Sequence, residues 1–355
     1  MTHANHEVTF HRYFAQLAPY LQDKYHGRLD FSRFGVPELA SAFEAIRDEI
    51  NVRWSTHANR ILAPDGAVDL YLDYINSTEV NAITFFYDGT HFVGITDKML
   101  IRFSEAAGAL WGLDALKDLL RIELSTEVRN FLFQAILLIQ LQFISSHELG
   151  HLFHGHIDRT ILQEEFCEAL PQTQDLLKKT NRLKDQAHEV EADGYAVHML
   201  LDNLVASNSG DHIYRRLGSK LPREDCIFTL LLLAVGSVFF FLKPREFDEE
   251  AVRALDHPFA VARMNVVLYD LIGWCSLNRP GLEGWASVES FQWVMACIGQ
   301  AANQPEQWSA WARQGEFLKN PAGKQYMADL YAEREKLRAD MASRSWKITP
   351  PADVR

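Results

Sequence analysis

The five residues His147-Glu148-Leu149-Gly150-His151 restrict this 355-residue chain more than any other stretch. Their pattern is HExxH. On an α-helix, side chains four apart lie one above the other, about 6 Å along the axis and ~40° round it. His147 and His151 then aim their imidazoles at a common point. Glu148 lies about 100° round the helix, within reach of a water held at that point. The stretch therefore calls for a helix, and also for a partner, because two nitrogens leave a bound zinc short of protein ligands.

Glu189-Val190-Glu191-Ala192-Asp193 supplies the candidate partner. Glu189 and Asp193 share a helix face, while Glu191 points about 200° away. Glu189 is the expected third ligand. Asp193, one turn on, is placed to accept the second ring N–H of a ligating histidine. Gly150, Ala192 and Ala196 are small enough to let two such helices approach closely. The expectation is one Zn2+ per chain, with a water in its open position and Glu148 as the general base. That chemistry is metal-assisted hydrolysis, here of a peptide bond. The bland alternative is a helix whose histidines hydrogen-bond in a polar core. It leaves Glu148 buried beside them, which is costly unless the carboxylate is paired.

Other residues compete for roles. His154 lies on nearly the same face as His147 and is a rival ligand, whereas His156 faces away. His188 and His198 flank the Glu189 segment and read as local hydrogen-bonders. In His257-Pro258-Phe259-Ala260-Val261-Ala262-Arg263, Pro258 can open a helix. Arg263 can pair with Asp193, stabilise a developing oxyanion, or be a plain surface arginine. Tyr195 and His257 are further candidate oxyanion donors.

Composition narrows the function classes. A net charge of −12 argues against nucleic-acid binding and against a basic membrane-surface patch. The partner expected is a protein or peptide substrate. Cys167, Cys226, Cys275 and Cys297 form no CxxC pair, which fits reduced thiols in the cytoplasm. The start of the chain lacks the charged and apolar regions of a signal peptide.

The fold expected is α+β and predominantly helical: a zincin-like core with a small sheet or hairpin, flanked by helical regions. The divisions are 1–65, 66–275 and 276–355. Residues 1 to about 60 read as helical, with Pro37 at a first helical position, and Ala63-Pro64-Asp65-Gly66 as a turn. Residues 80–87 and 91–95 form a hairpin about Asp88-Gly89, and one of its strands could be a sheet edge. Residues 131–144 form a buried helix leading into HExxH. The uncharged run 226–242 is either a buried core helix or a membrane span of roughly 26 Å. Trp308 and Trp311 mark one helix, and Pro321 opens another whose charges read as a solvated face.

HELGH at 147–151 with EVEAD at 189–193 resembles the gluzincin metallopeptidases. The ExEADxxA form followed by HPxxxxR resembles the HtpX and CAAX-prenyl-protease clan, and is similar to the soluble ImmA-like and Lit-type phage-exclusion peptidases. The resemblance covers roughly 80–268. It implies His147, His151 and Glu189 as zinc ligands, Glu148 as base and Asp193 behind the ligands. It also implies restricted protein substrates, of regulatory or phage-defence type. Position 154 is His where the longer HExxHxxGxxH pattern has Gly. Two alternatives stand beside this reading: a binding protein with a structural or vestigial metal site, and a membrane-embedded protease using 226–242.

Overall fold

A computed structural model describes residues 3–17, 19–33, 37–61, 69–153, 163–164, 182–206, 209–242, 247–255, 257–281, 288–303 and 305–343. The protein is predominantly helical α+β, as expected. It forms two compact units. One comprises Met1–Ile101, His151–Glu168 and Glu335–Arg355; the other comprises Arg102–Gly150 and Ala169–Arg334. The line at residue 150 falls inside one continuous helix, which is described with the second unit.

The first unit holds α1 (His3–Phe14), α2 (Pro19–Gln22), α3 (Pro37–Ile61) and a sheet. Its strands are β1 (Tyr25–Arg28), β2 (Asp69–Ser77), β3 (Ala82–Tyr87), β4 (Thr90–Thr96) and β5 (Gln163–Glu164), in the order β1-β2-β4-β3-β5. The hairpin forms as its sequence predicts. Asp88 and Gly89 take φ of 50° and 83°, the left-handed pair that a two-residue turn needs to match strand twist. β4 then folds back between β3 and β2, running parallel to β2.

Neither hairpin strand is outermost, because β5 pairs with β3 at Ile83 and Thr84. Residues 1–60 are not helical throughout either. Tyr25–Arg28 pair with Ser77 and Ile75, so a distant strand overrides the local preference. Where β1 stops short along β2, Asn51 on α3 takes over. Its amide donates to the Leu72 carbonyl at 2.9 Å and accepts the Leu72 N–H at 2.8 Å.

Aromatic side chains cement α1 to the sheet. Phe10 and Phe14 pack with Tyr71, Ile75, Phe85 and Phe92, and Tyr13 stacks on Phe85 with centroids 3.9 Å apart. Asp73 on β2 is 1% exposed and lies between two arginines. Arg28 Nε donates to it at 2.7 Å and Arg47 Nη1 at 3.3 Å.

The line at residue 101 falls inside α4 (Asp97–Trp111). The second unit takes the rest of α4, α5 (Leu116–Leu120), α6 (Thr126–Phe153), α7 (Leu183–Leu201), α8 (Ser209–Leu217), α9 (Arg223–Phe241) and α10 (Ala260–Asn278). It continues with α11 (Val288–Ala302), α12 (Pro305–Lys319) and most of α13 (Pro321–Ser343). Every residue from Cys226 to Phe240 of α9 is buried in protein, as a core helix requires. Gln140 of α6 donates its Nε2 to Ser237 of α9 at 2.8 Å, a polar link between two apolar helices.

Among the described residues, three helices, Thr126–Leu152, Arg223–Phe241 and Ala260–Asn278, are long and apolar enough to cross a membrane, by length and composition alone. Trp311 is buried against Phe240. α13 starts at Pro321 as expected, but its charges are not all solvated. Arg334 is 1% exposed, on a buried stripe with Tyr326, Leu330 and Leu337. Cys226 and Cys297 are free thiols, and both are buried, as is Cys275. Cys167, His154, His156 and the turn at 63–66 lie outside the described residues.

Candidate metal centre

Two helices build the centre, and two small residues let them touch. A Cβ placed on Gly150 would stand 3.0 Å from the Ala192 Cα and 3.3 Å from its carbonyl oxygen. A larger residue at 150 would hold α6 and α7 apart. At this crossing His147, His151 and Glu189 each present a ligand atom, all within 4.8 Å of one another. The three are buried, with exposures of 0%, 1% and 6%. This buried His-His-Glu group could bind a metal ion.

The arrangement around His147 is the one its spacing predicts. Its Nδ1 lies 3.0 Å from Asp193 Oδ1, and its Nε2 lies 3.6 Å from Glu189 Oε2. An ionised carboxylate only accepts, so Nδ1 carries the proton that Asp193 receives. That tautomer leaves Nε2 directed at the ligand cluster. Arg263 of α10 grips Asp193 with two parallel bonds, Nε to Oδ2 at 2.8 Å and Nη2 to Oδ1 at 2.7 Å. Its guanidinium also lies over the Phe239 ring, 4.6 Å from the centroid.

His257 comes to 3.4 Å from Glu189. Gln186 supports the segment before it by donating to the carbonyls of Val252 and Leu255. Burial pushes the Tyr195 hydroxyl pKa up, and Asp202, just past the end of α7, adds to the rise. Glu191 faces away from the ligand cluster, as its position on the helix requires, and pairs with Arg334. His198 is exposed and His188 half-buried.

Electrostatics single out Glu148. It is 0% exposed, and neither carboxylate oxygen has a hydrogen-bond partner among the described residues. Burial pushes its pKa up to about 7, with Glu189 adding to the rise and His147 and Arg263 opposing it. Burial works against a charge on His147 too. The bond to Asp193 and the Glu189 carboxylate 3.6 Å away outweigh that and hold its pKa at about 9. For Asp193, burial is likewise overcome, here by Arg263 and His147, which pull it down to about 2.

Among the described residues, Glu148, Glu189 and Asp193 thus face a single guanidinium, that of Arg263. With neutral histidines, three carboxylates against one arginine leave two negative charges buried together. A divalent cation offsets that charge; without one, protons on His147 and Glu148 do so. The donor set therefore fits a metal ion, on charge as well as on distance.

Two supporting residues give little sign of themselves in sequence. Gln186 lies three residues before Glu189, on the same helix face. Arg334 is a charge on the apolar stripe of α13, a signal hidden by the many charges around it. No family model, curated protein or solved structure matches this chain.

Proposed function

We propose that the chain is a zinc-dependent metalloendopeptidase acting on a restricted set of intracellular proteins. The observation that carries the reading is Glu148: a buried carboxylate without a hydrogen-bond donor among the described residues, next to two histidines and a second carboxylate, Glu189. A purely structural metal site is closed by four protein ligands and has no use for such a group. His147, His151 and Glu189 would hold the ion. When bound, zinc lowers the pKa of a coordinated water and polarises a substrate carbonyl. Glu148 accepts the proton of the attacking water and delivers it to the leaving amine. Asp193 holds His147 in the ligating tautomer, and Arg263 holds Asp193 ionised.

The likeness of 147–151 and 189–193 to the gluzincin motifs supports peptide hydrolysis as the reaction. The free, buried thiols of Cys226 and Cys297 support a reducing compartment. The burial of α9 supports a core helix rather than a span, and recovery of the full chain without detergent checks this.

The test compares cleavage across a proteome by wild type and Glu148→Gln, with metal content measured on both. The variant should keep its zinc and lose at least about 100-fold in cleavage rate. Equal cleavage by the two proteins would remove Glu148 as the base. Glu189→Ala should lose its metal on dialysis, and full metal retention would remove Glu189 as a ligand.

A further inference from the structure

α13 is far from HExxH in sequence, yet two of its side chains reach α7 on either side of Glu189. Tyr326 donates its hydroxyl to Gln186 at 2.7 Å. Arg334 bonds Glu191 through Nε, and spreads its other two nitrogens over Asp270 of α10 at 3.0 and 2.7 Å. Gly194 makes room for this ion network, since a Cβ there would overlap both the Arg334 guanidinium and the Asp270 carboxylate. Asp270 and Arg263 are seven apart on α10, so they face the same way. One clasps Asp193 directly, and the other clasps Glu191 through Arg334. Burial disfavours the charge on Arg334, but Asp270 and Glu191 outweigh this and keep it protonated.

A helix can slide or rotate against its neighbours while keeping most of its apolar contacts. Directional bonds at residues 186, 191 and 193 forbid that motion and fix where Glu189 points. We propose that Arg334, with Tyr326, is a positioning residue of the metal centre, setting the register of α7 so that Glu189 meets His147 and His151. The proposal rests on the metal-centre reading.

Cobalt(II) serves as the probe, because its visible absorption reports ligand geometry. The main variant is Arg334→Met with Asp270→Leu and Glu191→Met. It replaces the whole buried ion network by apolar groups of similar size, a change that proteins often tolerate without loss of stability. Its far-UV circular dichroism should match wild type. Its cobalt affinity should fall about 10- to 100-fold, with altered visible bands. A folded triple variant with wild-type affinity and spectrum would overturn the proposal. Should the triple variant not fold, Arg334→Lys and Tyr326→Phe decide. Each should weaken cobalt binding and shift the bands, Arg334→Lys more strongly because lysine cannot span Asp270 and Glu191 together. Wild-type behaviour in both would overturn the proposal. A wild-type chain that takes up no cobalt would instead sink the metal-centre reading, and this inference with it.

Discussion

Asp73 in the first unit and Glu148 in the second are both buried carboxylates, and they are treated in opposite ways. Asp73 accepts from Arg28, from Arg47 and from the Tyr74 N–H at 2.9 Å. Glu148 is just as deeply buried and accepts no hydrogen bond among the described residues. A buried charge that is fully bonded holds elements together. One left without donors raises the energy of the fold unless something else, a proton or a bound group, completes it. The contrast separates a cluster that serves architecture from one that serves chemistry.

Neutralising the two carboxylates should therefore have opposite effects. Asp73→Asn leaves two arginines facing an amide, and should cost about 3–5 kcal/mol in urea unfolding, with zinc content unchanged. A cost under about 1 kcal/mol would show that the arginines are not relying on Asp73. Asn51→Ala removes both partners of Leu72 and should cost roughly 1–3 kcal/mol, again with no change in metal.

In the second unit, Gly150→Val forces α6 from α7. It should cost about 1–3 kcal/mol and also lower zinc affinity, which neither change in the first unit does. Wild-type affinity in that variant would mean that the helix crossing does not set the ligand geometry. The smallest effect is expected for Glu148→Gln in metal-free protein. Removing a carboxylate that has no donors should leave the melting temperature unchanged or raise it by a few degrees. A clear drop would mean that Glu148 is an architectural charge like Asp73, and would end the contrast.

Much of the centre was legible in the chain itself. His147, His151, Glu189 and Asp193 were found because helical spacing is a local rule, so residues four apart must share a face. The Asp88-Gly89 turn was legible for the same reason: its backbone angles select its residues. Three things were not. β1 exists only because β2 offers it hydrogen bonds, and Tyr25-His26-Gly27-Arg28 carries no strand pattern strong enough to announce that. Arg334 was hidden because a buried arginine and a solvated one read alike until their partners are known. Arg263 had several roles open, and only the tertiary structure shows that it is buried and pairs with Asp193.

Spacing along one helix determined which side chains could act together at the crossing. It could not determine that Glu148 would be left without a donor among the described residues, that Arg263 would clasp Asp193, or that α13 would reach across to α7. Periodicity constrains neighbours on a single element, whereas burial and pairing depend on which other elements arrive, and those come from residues tens to hundreds of positions away.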